Sequence, residues 1–391
     1  MRQHPASASY DILGAGPAGL CLAIQLRRAF PKARLRVFEQ NSPDATFGFG
    51  VVFSDGALDF LGRDDPDLLG LITPEMVRWQ DMMLDHPTRQ LVIDGIGFAA
   101  IGRLRLLELL QERARQLDIE IFYHQRLDNL DQLAGDQLAG DLLIGADGIN
   151  SLVRLSDPAG FDSQTGQFDN RFAWFGAAMG FDQLTQTFRQ IERGGQRLSL
   201  NAHHYQYAES GGAARSTFIV ETDAASFAAL GLEEMDEAAS ARLCAEIFAE
   251  TLEGRPLLTN KSNWRRFPRL WCNKWVNGNK VLIGDAAHAA HFSVGSGTRL
   301  AFEDAIALAK SLQEADSLAD GLDHFQQTRP PVAAKIVAAA DRSASWYDRF
   351  DQHLGLPPLD FAEAYITRSG RVDRQRLAAI SPKFAAQIEL R

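Results

Sequence analysis

The sequence predicts an α/β protein. Its parts are a Rossmann-like dinucleotide-binding domain, an inserted mixed or antiparallel β-sheet domain, and a helical segment at the C-terminal end. Three observations carry this. A strand, a glycine-rich turn, a helix and a second strand ending in an acid follow one another between Tyr10 and Glu39. Two further apolar runs, at 142–148 and 281–285, each end in a turn built on glycine and aspartate. Between them, 168–267 carries short alternating segments that read as strands.

The first unit can be justified residue by residue. Tyr10-Asp11-Ile12-Leu13 has strand character, Gly14-Ala15-Gly16-Pro17-Ala18-Gly19 follows, and good helix formers run from Leu20 to Phe30. A second strand, Leu35 to Phe38, ends at Glu39, 20 residues after Gly19, with Gln40 beside it. Gly14 allows the tight turn, Gly16 lets backbone approach a pyrophosphate, and Gly19 lets helix and strand pack closely. The helix start that opens with Pro17 and Ala18 offers N–H groups and a positive dipole end to phosphates. Glu39 can accept hydrogen bonds from ribose hydroxyls. A helix terminus contributes about 0.3–2 kcal/mol, whereas micromolar binding needs about 8 kcal/mol, so other parts of the chain must contribute.

Composition narrows the class. The chain has 391 residues, 46% hydrophobic and 23% charged, with a formal net charge of −10. That is enough chain for a large two-lobed core. The acidic balance argues against nucleic-acid or anionic-membrane partners. No run approaches the ~18 apolar residues of a membrane span, and the start, Met1 to Ser9, is polar. Cys21, Cys244 and Cys272 are odd in number and widely spaced, which argues against a disulfide framework or a zinc site. His288 and His291 stand three apart with no ligand partners nearby in sequence, so no metal is expected. A reduced, cytoplasmic setting is expected.

The downstream segments complete the pattern. Leu142-Leu143-Ile144-Gly145-Ala146 runs into Asp147-Gly148. Val281-Leu282-Ile283-Gly284-Asp285 is followed by His291-Phe292-Ser293-Val294-Gly295-Ser296-Gly297-Thr298 and a helix with Ala301, Ala305, Leu308 and Leu312 on one face. In order with the GxGxxG, these resemble the three fingerprints of the class A flavoprotein aromatic monooxygenases, the para-hydroxybenzoate hydroxylase-like family. The resemblance implies a glutathione-reductase-type FAD domain. It places Asp285 at the ribityl chain of FAD and Gly295, Ser296, Gly297 and Thr298 at the flavin's pyrimidine edge. It places Asp147 and Gly148 near the pyrophosphate and NAD(P)H, and Arg103, opening a helix Leu104 to Leu117, at the phosphates or ribityl. Two positions depart from the family pattern, Phe292 for a proline and Arg299 for an asparagine.

Gly48, Phe49 and Val51, within Phe47 to Ser54, narrow the resemblance together with the His291 to Thr298 string. They are similar to the tryptophan-derived hydroxylases of violacein synthesis and to the monooxygenase portions of 2-aminobenzoyl-CoA monooxygenase/reductase and salicylyl-CoA 5-hydroxylase. On this basis the FAD-binding domain is expected to comprise 1–76, 97–165 and 270–330. The substrate domain is expected at 77–96 and 166–269, and the helical segment at 331–391.

In the second lobe, Trp79 to His86 and Gln90 to Asp94 read as a hairpin, and strands are expected at 172–179, 187–193, 197–202 and 216–221. An acidic helix, Met235 to Leu252, covers the sheet. Pro330-Pro331 is expected to break a helix, after which Val332, Ile336, Ala340, Tyr347 and Phe350 form one packed face.

The family implies hydroxylation of an electron-rich ring with NAD(P)H and O2 through a flavin hydroperoxide, which requires a dry pocket between flavin and sheet. His291 is the first candidate for substrate contact or proton transfer. His203, His204, Tyr205 and Phe292 follow, with Gly48, Phe49 and Val51, and for each histidine a structural role stays open. Arg265, Arg266, Arg269 and Lys274 either meet an anionic substrate tail or face water. With no second complete GxGxxG, NAD(P)H binds transiently or a separate flavin reductase delivers reduced flavin. An indole or other tryptophan-derived aromatic is favoured over an aryl-CoA thioester. A flavin-dependent reductase without oxygen insertion and a non-enzymatic flavin protein remain alternatives.

Overall fold

The computed structural model describes residues 3–134, 140–208 and 214–390. Its strands are β1 (Ser9–Leu13), β2 (Arg34–Phe38), β3 (Gly50–Ser54), β4 (Val77–Trp79), β5 (Met82–His86), β6 (Arg89–Ile93), β7 (Phe98–Gly102), β8 (Glu120–Phe122) and β9 (Leu142–Gly145). These are followed by β10 (Ser163–Ala177), β11 (Leu184–Arg193), β12 (Gln196–Tyr207), β13 (Arg215–Thr222), β14 (Leu257–Leu258), β15 (Arg265–Cys272), β16 (Val276–Asn277) and β17 (Lys280–Leu282).

Three sheets result. The first has the order β16-β17-β9-β1-β2-β8 and is parallel from β17 to β8. Its inner strands are buried on both faces, as a sheet covered by helices requires, with Asp11 of β1 paired to Arg36 of β2. The second is mixed, β14-β10-β13-β12-β11-β5-β6 with β15 beside β10. It is antiparallel except where β5 joins β11. The third, β3-β7-β4, lies in the segment that connects them in sequence.

Alternation on the large sheet separates two faces. Ala173, Phe175, Leu200, Ala202, Phe218 and Val220 pack with Phe227 and Cys244 of the outer helices and with Phe248 just beyond the end of one of them. The opposite face carries Trp174, Ile219, His203 and Tyr205 toward the parallel sheet's cavity.

Several expectations are corrected. The acidic helix is shorter, Glu237–Ile247, because Asp236 caps it by accepting from Ala239 N–H. Val77–Trp79 pairs with β7 rather than extending the hairpin, which is β5 with β6. Pro330 and Pro331 lie inside one helix, Leu318–Tyr347. Burial of Phe325, Ala333, Ile336, Val337 and Ala340 in the main core holds the helix through the two missing N–H groups. Val332 is 48% exposed, whereas Ile336, Ala340, Tyr347 and Phe350 pack inward.

A buried ionic cluster fixes the loop after β17. Asp304 accepts from Gly284 N–H at 2.8 Å, from His288 Nε2 at 2.8 Å and from Arg329 Nε at 2.7 Å. Glu303 binds Arg329 and Arg299 beside it. Removing one member of such a cluster leaves a buried charge without compensation. Asp304→Ala should therefore lower the unfolding free energy by about 3–5 kcal/mol in urea titration of the cofactor-free protein.

Candidate functional site

The carboxyl ends of the neighbouring strands β17, β9 and β1 bring the three predicted loops together, as the topology of an open parallel sheet requires. At the first, Gly14 has φ +99° and a Cβ there would lie 2.4 Å from the Ala146 carbonyl oxygen. A Cβ on Gly19 would lie 2.0 Å from the Gly14 carbonyl oxygen, so Gly19 serves the contact between turn and helix rather than lining the cavity. Gly16 differs: nothing lies within 4 Å of a Cβ built there. Packing demands two of the glycines, and the third keeps space open.

That space is a cavity of about 860 Å³. Three helices, Pro17–Ala29, Arg103–Gln116 and Gly297–Gln313, begin on its wall. None has a side-chain cap or an acidic residue in its first turn. Elsewhere in the chain, Ser151, Asp223, Asp236, Ser317 and Asp373 cap their helices. Other helices, among them Pro358–Thr367 and Pro382–Glu389, also lack a side-chain cap, but the three that begin on the cavity wall direct their N–H donors and positive dipole ends toward one space that could hold an anionic ligand.

The charged side chains agree. Burial lowers the pKa of Arg103; Asp285 opposes this and Arg265 adds to it. A buried cation at a helix N-terminus is unfavourable without an anion beside it. Asp285 opens onto the cavity, where its side chain is accessible to solvent; desolvation by the surrounding protein raises its pKa against the pull of His288 and Arg103. Asp147 accepts from Leu152 N–H through Oδ2 at 2.6 Å, while its buried Oδ1 has no partner. Glu39 accepts from Ala15 N–H through Oε2 and from Asn41 through Oε1, and its carboxylate still faces the cavity. Gln40, Gly148 (φ +78°), Gly295 (φ +60°), Ser296, Gly297 and Thr298 also line the cavity.

The far end of the same cavity has a different chemistry. Val51, Val52, Trp174, His203, Tyr205, Ile219, Phe267 and Phe292 form a largely apolar wall. Tyr205 is committed, donating its OH to the Gly50 carbonyl at 2.8 Å. A cavity that gathers uncapped helix N-termini, several carboxylates and an aromatic wall suits a flavin dinucleotide with a flat substrate beside its ring.

The sequence profile of the family described as "FAD binding domain" matches residues 113–340. Salicyloyl-CoA 5-hydroxylase of a Streptomyces species is 37% identical over 96% of this chain and 72% of its own length. 3-Hydroxy-4-methyl-anthranilyl-[aryl-carrier protein] 5-monooxygenase of Streptosporangium sibiricum is 32% identical over 93% of this chain and 95% of its own. The chain belongs to the FAD-dependent aromatic monooxygenases. Protodeoxyviolaceinate monooxygenase of Chromobacterium violaceum, 30% identical over 91% and 93% of the two chains, agrees. Two solved structures share the fold at lower identity. One is P. aeruginosa PqsL in complex with 2-aminobenzoylacetate (TM-score 0.68, 20% identity, 89% and 99% covered). The other is 2-methyl-3-hydroxypyridine-5-carboxylic acid oxygenase (0.69, 19%, 93% and 96%).

The monooxygenase does not place every candidate on the cavity. His291 lies outside the lining, its ring packed against Phe168, Phe267 and Phe292, with Nδ1 accepting from Ser293 N–H at 3.3 Å. Burial, with Arg368 adding to it, pushes its pKa down to about 3. That environment suits an aromatic packing residue that caps a turn, not a proton carrier facing substrate. Gly48 supports the face of the Trp174 ring and Phe49 packs over Gly176, so both shape the wall from behind. His204 points to the other face, against Phe181 and Phe218. The basic row also divides. Arg266 pairs with Asp169 at 2.8 Å and Arg269 lies over Phe168, whereas Arg265 lies over Phe172 with no carboxylate partner among the described residues. His288 is committed to Asp304. The sequence reading missed Trp174 and Ile219 as wall residues. Strand alternation on β10 and β13 gives their facing, but which strands are neighbours is set by topology.

No helix among the described residues is long and apolar enough to cross a membrane. The glycines give a clean test. Gly16→Ala should leave urea stability within about 1 kcal/mol and weaken FAD binding at least tenfold by equilibrium titration. Gly19→Ala, whose Cβ meets backbone, should cost about 1–3 kcal/mol before any cofactor is added.

Proposed function

We propose that this monooxygenase hydroxylates a small, electron-rich, tryptophan-derived or related natural-product aromatic, using NAD(P)H and O2. The observation that carries the reading is the continuity of one cavity from the uncapped helix ends to the Trp174, His203 and Phe292 wall. FAD bound there supplies hydride acceptance and activation of dioxygen.

The protein's own residues divide the remaining work. Gly16, Pro17 and Ala18 would hold the pyrophosphate with Arg103, Glu39 the adenosine ribose, and Asp285 the ribityl chain. Asp147 would accept from a ligand hydroxyl, and Gly295 to Thr298 would offer backbone N–H groups to the pyrimidine edge. Val52, Ile219, Phe267 and Phe292 exclude water from the reacting ring. With no second complete GxGxxG in the sequence, NAD(P)H would approach transiently on the FAD lobe; a separate reductase is the alternative supply.

An aryl-CoA thioester is a second reading, favoured by Arg265. This cation, without a carboxylate partner among the described residues, lies over Phe172 and close enough to Arg103 to depress its pKa.

Turnover under labelled dioxygen tests the proposal. NAD(P)H oxidation stimulated by indolic or amino- and hydroxy-aryl compounds should deliver one labelled oxygen atom to the product. Anaerobic turnover with no label incorporated would contradict it and favour a reductase. Activity confined to CoA thioesters would replace the first substrate class with the second.

A further inference from the structure

A second recess shares no lining residue with the cofactor cavity. It encloses about 350 Å³ between the start of β15 and the helices over the outer face of the large sheet, Ala224–Ala229 and Glu237–Ile247. Arg171, Arg265 and Arg266 all line it.

Packing alone does not account for three guanidiniums there. The strand register sets Arg171 directly opposite Arg266, and like charges so placed destabilise a sheet. Among the described residues, Asp169 is the one carboxylate paired with any of the three; it meets Arg266 at 2.8 Å and is 81% exposed. Arg171 lies over the Phe227 ring and donates to the Asp169 carbonyl, with no carboxylate partner among the described residues. Arg265 is exposed and lies over Phe172, with neither a hydrogen-bond nor a carboxylate partner among the described residues. Glu233 and Glu237 line the helix side of the recess without pairing to these arginines, and Glu237 accepts from Ser262 N–H at 2.5 Å.

This mixture suits a phosphorylated nucleoside better than a simple anion. Guanidinium forks match phosphate oxygens bidentately. The carboxylates can accept from ribose hydroxyls, and the partly exposed Trp264 adds an aromatic ring.

Surface residues join the recess to the rim of the cofactor cavity. Phe47 lines the cavity and is 42% exposed, and the Lys261 ammonium lies 4.4 Å from its ring centroid. Ser262 and Asn263, the next two residues, line the recess. Asn260 fixes the junction by donating to the Gly48 carbonyl at 2.8 Å. Lys261 also lacks a carboxylate partner among the described residues, so the route between the two spaces carries a fourth cation.

We infer that the recess is a second binding site, for the phosphorylated nucleoside end of a ligand whose other end reacts in the FAD cavity. Two ligands have that chemistry: a thioester substrate ending in the 3′-phosphoadenosine of coenzyme A, and NADPH, which ends in a 2′-phosphoadenosine. The inference rests on the reading that the cavity holds FAD and the reacting ring, and it adds a site separate from both.

Calorimetric titration of FAD-loaded protein, in which the Gly16 end is filled, with adenosine 3′,5′-bisphosphate, adenosine 2′,5′-bisphosphate and adenosine tests it. At least one bisphosphate should bind below about 1 mM and about tenfold or more tighter than adenosine. Preference for the 3′,5′ isomer assigns the recess to a substrate tail, and preference for the 2′,5′ isomer assigns it to the reductant. Arg171→Gln and Arg265→Gln should each weaken the preferred bisphosphate about fivefold or more, with flavin content and melting temperature at wild-type values. Arg171→Lys should lose less than Arg171→Gln, because it keeps the charge. Bisphosphates that bind no better than adenosine, or unchanged affinity in both glutamine variants, would overturn the inference. Wild-type protein that takes up no FAD sinks the cofactor reading and this one with it, whereas flavin-loaded protein that ignores both bisphosphates sinks only this one.

Discussion

Three helix N-termini without side-chain caps, aimed into one cavity, are the constraint on which the site depends. Each leaves backbone donors that the protein could have satisfied with a single serine or aspartate, as it does at Ser151, Asp236 and Ser317. The strand order β17-β9-β1 places the loops carrying Gly16, Asp147 and Asp285 side by side. The Gly14 approach to the Ala146 carbonyl and the Asp304 cluster then lock two of those loops. The positive end of the cavity is thus a property of topology and capping more than of net charge, which is negative for the whole chain.

The two ends of the cavity solve opposite problems. Near Gly16 and Arg103 the protein concentrates donors for a highly charged ligand. Near Trp174, Ile219 and Phe292 it presents a largely apolar wall. Asp285 also lines the cavity, its carboxyl raised by desolvation and drawn back by Arg103 and His288. On the proposed reading, substrate and cofactor would meet where these regimes join, which is where a reactive oxygen species must be shielded and a ring presented in one orientation.

Much of the cofactor end was legible in the sequence. Gly14, Gly16, Glu39, Asp147 and Asp285 lie in local motifs whose spacing fixes a turn, an approach or a carboxylate at a strand end. The substrate end was less so. His203 and Tyr205 share a face by alternation alone, but their partnership with Trp174 and Ile219 arises from pairing across strands more than 40 residues apart in part of the row. For His291, proximity in sequence to Gly295 does not reveal that its ring packs against Phe267 and Phe292, which themselves form part of the cavity wall. Asp304 sits in a helix that reads as amphipathic, and nothing local marks it as the anchor of the Gly284 turn. The unbroken helix through Pro330-Pro331 shows tertiary burial overriding a strong local rule.

A crystal structure of the FAD-loaded protein tests the central claim most directly. The account predicts the pyrophosphate over Gly16 to Ala18 and the isoalloxazine ring between the Gly295 to Thr298 turn and the Trp174, Ile219 and His203 row. FAD bound with its phosphates away from Gly16, or with its ring outside the cavity, would contradict it.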